Sequence, residues 1–147
     1  MNMAKALHDC GHEIILIAKK NSKILTDPFS YYGFKPLFKL ISVRLPSIKL
    51  NWVIYTLFLI PKLFIYKPDI VYSRDSFSAY IATKLGFNVI FEAHSIAFGR
   101  DKIIYKTLFL SKNLKLVVTI SNSLKKLLIK NYSFLNNKIL VAHDGVD

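Results

Sequence analysis

The chain has 147 residues, enough for one domain with a sizeable core, and it is 52% hydrophobic with a formal net charge of +12. Only three of its 21 basic residues are arginines (Arg44, Arg74 and Arg100), the lysines are spread along the chain, and no binding signature appears, so nucleic acid is not expected as a partner. Cys10 is the single cysteine, which excludes an intrachain disulfide and fits a reducing compartment. The positive charge suits an anionic membrane surface; heavy lysine usage in an AT-rich coding sequence would produce it equally well.

The opening MNMAKALHDCGHE has neither the apolar region nor the cleavage site of a signal peptide, and a cytoplasmic location is expected. Met1–Cys10 reads as a short helix stopped by Gly11 in the left-handed region. His8, Cys10, His12 and Glu13 include an i,i+4 histidine pair. Gly11 falls between the histidines and breaks the shared face a metal pair needs, so no metal site is expected. Glu13–Ala18 is a continuous apolar run, as in a strand covered on both faces. Lys19–Pro36, punctuated by Pro28, Gly33 and Pro36, reads as a loop. Its Tyr31, Tyr32 and Phe34 either tuck that loop down or form an acceptor- or membrane-touching tip. Leu37–Leu45 reads as the next strand.

Leu50–Tyr66 is the most apolar segment, but it is shorter than the ~20 residues a membrane span needs, and Pro61-Lys62 interrupts it. A helix packed in the core, kinked or restarted at Pro61, is expected; a partly membrane-seated helix is the alternative. Pro68 ends it. Asp69–Ser73 is then a strand, Ser76 the N-cap of a helix over Phe77–Leu85, Gly86 its stop and Asn88–Phe91 the following strand. Arg100–Lys112 is helical in pattern, and Lys115–Ile120 is a β-branched strand. Ser121 is a capping candidate for a helix over Ser123–Tyr132, and Lys138–Ala142 is a last short strand. Strand–helix alternation without repeats predicts an α/β fold with a mainly parallel sheet.

In such a sheet ligands bind at the carboxyl ends of strands. Two strands end in polar residues there, Ser73-Arg74-Asp75 and Glu92-Ala93-His94-Ser95. Glu92 and His94 are two residues apart and share a side of the chain. An imidazole there can hydrogen-bond a ligand hydroxyl or developing charge; its alternative is to tie down a loop. Glu92 is read as orienting a neighbouring loop or helix N-terminus rather than as a base. Arg74 is either an anion-binding group or the partner of Asp75 or Glu92. Ser121 could touch ligand, though capping accounts for it. Asp144-Gly145 reads as a tight turn in which Gly145 permits an unusual backbone angle.

Three segments in order, MAKALHDCGHEIILIAKK, KPDIVYSRDSFSAYIATKLGFNVIFEAHS and LVVTISNSLKKLLIKNYSFLNNKILVAHDGVD, resemble the N-terminal domain of a family 4 glycosyltransferase, the retaining type with two Rossmann-like domains. The resemblance implies a Rossmann-like α/β domain, a mainly parallel sheet with helices on both faces, whose first strand, expected at the centre of the sheet, is missing here. It implies that residues 1–147 are a partial, acceptor-side domain and that the nucleotide-sugar domain lies beyond Asp147. The parent activity would be hexosyl transfer, with retention, from a nucleotide-sugar to a cell-envelope glycan or lipid-linked acceptor. No cofactor or metal is implied, and the enzyme would sit in the cytoplasm or peripherally on the inner membrane face. His94 would face the transferred sugar; Arg74, Glu92, Ser121, Asp144 and Gly145 would bind substrates. The fragment alone would be inactive. The competing expectation is a non-catalytic remnant acting at most as an interaction module. A third reading, another Rossmann-type nucleotide-binding protein, lacks the Gly-rich turn it would need.

Overall fold

The structure is a computed structural model that describes residues 1–20, 26–46, 51–99 and 101–143. It divides into two compact units, Met1–Tyr55 and Thr56–Asp147.

In the first unit, helix α1 (Asn2–Asp9) closes at Cys10, and Gly11 takes φ 89°, a conformation glycine adopts without the Cβ penalty. The helix therefore ends between His8 and His12, as its sequence predicts. Strands β1 (Ile15–Lys19) and β2 (Lys39–Val43) pair in parallel, Ile15 opposite Lys39 and Lys19 opposite Val43. Strand β1 is half-buried rather than covered on both faces. Helix α2 (Pro28–Tyr31) lies in the segment read as loop. Asp27 caps it by accepting from the Ser30 amide at 3.0 Å, and Pro28 supplies a helical φ in the first turn. Phe29 is buried against the rings of Phe34 and Phe38, whereas Tyr31 and Tyr32, also expected to tuck the segment down, are exposed.

Helix α3 (Asn51–Tyr66) runs across the division between the units and continues as one helix through Pro61. Leu50, the expected start, lies outside the described residues. The second unit carries a four-stranded, fully parallel sheet of β3 (Val71–Ser73), β4 (Val89–Ala93), β5 (Leu114–Thr119) and β6 (Ile139–Val141), in that order. The strands alternate with α4 (Ser76–Lys84), α5 (Asp101–Phe109) and α6 (Asn122–Asn131), and a 3-10 helix over Ser133–Lys138 precedes β6. The α/β class and parallel pairing match the expectation. Among the described residues the strands form two parallel sheets, β1–β2 and β3–β6.

Two boundaries moved for physical reasons. Asp75, not Ser76, caps α4, because its carboxylate reaches the Ser78 amide at 2.7 Å. Helix α5 stops at Phe109 rather than Lys112, because the Ser111 amide bonds back to the Leu108 carbonyl and turns the chain into β5. Gly86, at φ 93°, ends α4 as predicted.

The core of this unit is aromatic. Phe109 stands edge-on to Tyr105 (5.2 Å between ring centres) and Tyr132 (5.1 Å), and lies tilted against Phe91 (6.1 Å). Phe91, Leu108, Phe109, Leu114, Leu128 and Leu135 are its largest buried apolar side chains. Burial raises the Tyr105 phenol above its ordinary range, with the nearby Asp101 charge adding to the effect. It therefore stays protonated and donates to the Ser95 carbonyl at 3.4 Å, tying α5 to the loop just past β4.

Helix α3 does not pack as expected. Thr56 is its only buried residue, hydrogen-bonded to Ser78 of α4 at 3.3 Å, and Leu63 packs on the core. Leu57, Pro61, Phe64 and Ile65 all face solvent.

Candidate functional site

Residue parity builds the site. Tyr72 of β3 lies opposite Ile90 of β4 in parallel register. Side chains alternate across a strand, so Tyr72 and Arg74 share a face with Ile90, Glu92 and His94. The odd-numbered Val89, Phe91 and Ala93 point the other way, into the apolar core. One face of the β3–β4 pair is therefore committed to packing and the other carries the polar groups.

Arg74 and His94 are each the first residue past their strand. The Arg74 turn is pinned by Ser73, whose hydroxyl donates to the Asp75 carbonyl at 2.9 Å and accepts from the Asp75 amide at 3.2 Å. Glu92 is only 4% exposed. Its Oε1 meets His94 Nε2 at 2.5 Å and Arg74 Nη2 at 3.1 Å, while Tyr72 Oη donates to its Oε2 at 2.6 Å. Arg74 Nε also points at His94 Nε2 from 2.8 Å. A buried carboxylate is tolerated when paired and hydrogen-bonded, and the guanidinium, phenol and imidazole together do this. The Arg74 side chain remains 61% exposed, so the cluster presents positive charge and an imidazole to solvent at the carboxyl edge of the sheet.

The structure thus brings together three expected site residues, Arg74, Glu92 and His94. Glu92, expected to orient a neighbouring loop or helix N-terminus, holds Arg74 and His94, the first residues of the loops that follow β3 and β4. Arg74 pairs with Glu92, while Asp75 is engaged as the α4 cap. Ser121 caps α6, its hydroxyl accepting from the Leu124 amide at 3.2 Å. Asp144 and Gly145 lie outside the described residues. Tyr72 was missed because it sits inside an apolar run; its part in the site depends on strand register, which a three-residue strand does not announce. Among the described residues no group of three or more metal-ligating side chains occurs.

A parallel α/β unit with its polar cluster at the strand carboxyl edge is a Rossmann-like domain. The model of Glycosyltransferase Family 4 matches residues 1–147, and the chain belongs to that family. A glycosyltransferase from Rickettsia africae ESF-5 has a similar structure, with a TM-score of 0.64 and 25% sequence identity over 98% of this chain. The chain spans 38% of the length of that protein. No curated protein matches it.

Proposed function

We propose that residues 1–147 form the acceptor-side domain of a retaining sugar transferase of hexosyltransferase type, which uses a nucleotide-sugar donor and needs no metal. The observation that carries this reading is the His94–Glu92–Arg74 cluster at the carboxyl edge of β3 and β4 in a family 4 chain. Transfer breaks the bond between the anomeric carbon and the donor diphosphate and makes one to an acceptor hydroxyl. Catalysis then consists of stabilising the departing diphosphate and the oxocarbenium-like sugar. His94 hydrogen-bonds the transferred sugar, and Arg74 offers a cation to an anionic group of donor or acceptor. Ser121, Asp144 and Gly145 contribute to substrate binding, and a second Rossmann-like domain holds the nucleotide-sugar. The acceptor is a cell-envelope glycan or a lipid-linked sugar.

The test is transfer of labelled sugar from a panel of nucleotide-sugars to envelope lipid and glycan extracts. A polypeptide joining this domain to a donor-binding domain is expected to transfer, and residues 1–147 alone are not. Turnover by residues 1–147 would overturn the division of labour. Failure of the joined polypeptide with every donor would leave the interaction-module reading.

Helix α3 favours a second element of this reading, a peripheral seat on the cytoplasmic membrane face. Leu57, Pro61, Phe64 and Ile65 follow i, i+4, i+7, i+8 spacing and form an apolar outward stripe, with Ile65 65% exposed. The helix has no acidic residue, and Lys62 and Lys67 flank the stripe in a chain of net charge +12, which complements anionic headgroups. No helix of the described residues is long and apolar enough to cross a membrane. The chain is expected to float with vesicles of anionic lipid and to lose that binding in Leu57→Glu/Ile65→Glu. Equal, negligible flotation with anionic and neutral vesicles, or self-association through the same stripe, would overturn the membrane seat.

A further inference from the structure

The segment that joins β4 to α5 forms a cleft of about 310 Å³ with α5 and the end of α6, and none of Arg74, Glu92 or His94 lines it. We propose that this cleft binds an organic phosphate, its phosphate held by Lys102, Lys106 and the Tyr132 hydroxyl and its apolar body by Phe98 and Ile96. The site goes beyond the transfer reaction and does not rest on it.

The chain leaves β4 at Ala93, and the Tyr105 hydroxyl of α5 holds the Ser95 carbonyl just beyond it. Ala97 is buried while its neighbour Phe98 is 69% exposed, so the segment is anchored and still presents an aromatic ring to the cleft. Gly99, at φ 53°, turns the chain toward α5. On that helix Lys102 and Lys106 are four residues apart and share a face, where like charges repel. Lys102 also lies in the first turn, where unpaired helix amides favour an anion over a cation. No acidic side chain lines the cleft, and among the described residues neither ammonium makes an ion pair or a hydrogen bond. Tyr132 is fixed edge-on against Phe109, with 5.1 Å between ring centres. Burial raises its phenol above the ordinary range, so the hydroxyl stays a proton donor, and among the described residues it has no hydrogen-bond partner. Asn131 beside it gives one amide proton to the Leu127 carbonyl at 2.8 Å and has a second to offer. Two cations and neutral donors thus line one cleft without a carboxylate to accept from them. A phosphate monoester supplies what is lacking, three acceptor oxygens and about two negative charges near neutral pH. The exposed Phe98 ring and Ile96 set the rest of the ligand, because covering them with hydrocarbon removes apolar surface from water, which a bare ion or a sugar does not do.

The experiment is titration of the isotope-labelled chain with geranyl phosphate, read by backbone amide NMR. Inorganic phosphate and geraniol serve as the two halves of that probe, and glucose 1-phosphate as a phosphate on a polar body. Geranyl phosphate is expected to shift the amides of residues 96–98, of α5 and of Tyr132 saturably, and the other three probes to bind about tenfold or more weakly. Lys102→Gln/Lys106→Gln is expected to weaken geranyl phosphate by about tenfold or more. Phe98→Ala is expected to weaken it by about threefold or more while leaving inorganic phosphate unchanged. All three side chains are exposed, and the same spectra report that each variant keeps its fold. Unchanged affinity in the lysine variant would overturn the site, as would shifts confined to α3. Geraniol binding as tightly as geranyl phosphate would remove the phosphate from the assignment, and glucose 1-phosphate doing so would remove the apolar body; either result overturns the proposal. No sugar transfer is read, so the outcome is separate from that of the transferase reading.

Discussion

Phe109→Ala is expected to destabilise the Thr56–Asp147 unit by about 3–5 kcal/mol, a fifth or more of the stability of an ordinary domain. Its ring sits at the meeting point of three others, Phe91 of β4, Tyr105 of its own helix and Tyr132 beyond α6. Truncation removes the transfer free energy of a fully buried ring and three aromatic contacts of about 0.5–1.5 kcal/mol each, and it leaves a cavity these rings cannot collapse into without leaving their strands and helices. Phe109→Leu retains most of the volume and is expected to cost about 1–2 kcal/mol. Hydrogen exchange of the β4 and β5 amides, which lie at the centre of the four-stranded sheet, measures the loss. Loss of less than about 1 kcal/mol for Phe109→Ala would mean that the aromatic cluster is not the unit's stability centre.

This core was legible in the sequence because its signals are local. Leu108 and Phe109 lie in the segment Arg100–Lys112 that reads as helical, and the β-branched run Lys115–Ile120 announces β5. Gly11 and Gly86 stop helices for the conformational reason glycine usually does. Competing local signals were harder to rank. Ser76 and Asp75 are both good caps, and which carboxylate or hydroxyl reaches the third amide is decided by the backbone angles at Asp75. Asp27-Pro28 is a helix start of the same kind, obscured by the prolines and glycine around it. The apolar content of α3 pointed to burial, but hydrophobicity does not state how many sides of a helix are covered: Thr56 is buried and Leu63 packs on the core, while Leu57, Pro61 and Ile65 are exposed.

The candidate site was legible to the extent that strand ends are. Arg74 and His94 each follow an apolar run, so their place at the carboxyl edge can be read directly, and Glu92 shares parity with His94 along one strand. Tyr72 could not be read, because its link to Glu92 crosses strands and depends on the pairing of Tyr72 with Ile90. Sequence spacing carries intrastrand parity but not interstrand register.

His94→Ala, in a polypeptide that joins this domain to a donor-binding domain, is expected to lower turnover by about 10²–10³-fold, equivalent to about 2.7–4 kcal/mol of transition-state stabilisation. The imidazole is held by Glu92 at 2.5 Å and approached by Arg74 Nε at 2.8 Å, so on the proposed function it would meet the reacting sugar already oriented, at no reorganisation cost during transfer. A group that stabilises charge developing only in the transition state affects kcat; one that merely grips the sugar affects KM. The loss is therefore expected in kcat, with KM for the donor changed by less than about threefold. The same substitution should alter folding stability little, because the His94 side chain is 34% exposed and its removal leaves Glu92 still bonded to Tyr72 and Arg74. A loss confined to KM would reassign His94 to substrate holding, and a change of less than about threefold in both constants would leave it a structural residue that ties Arg74 to Glu92.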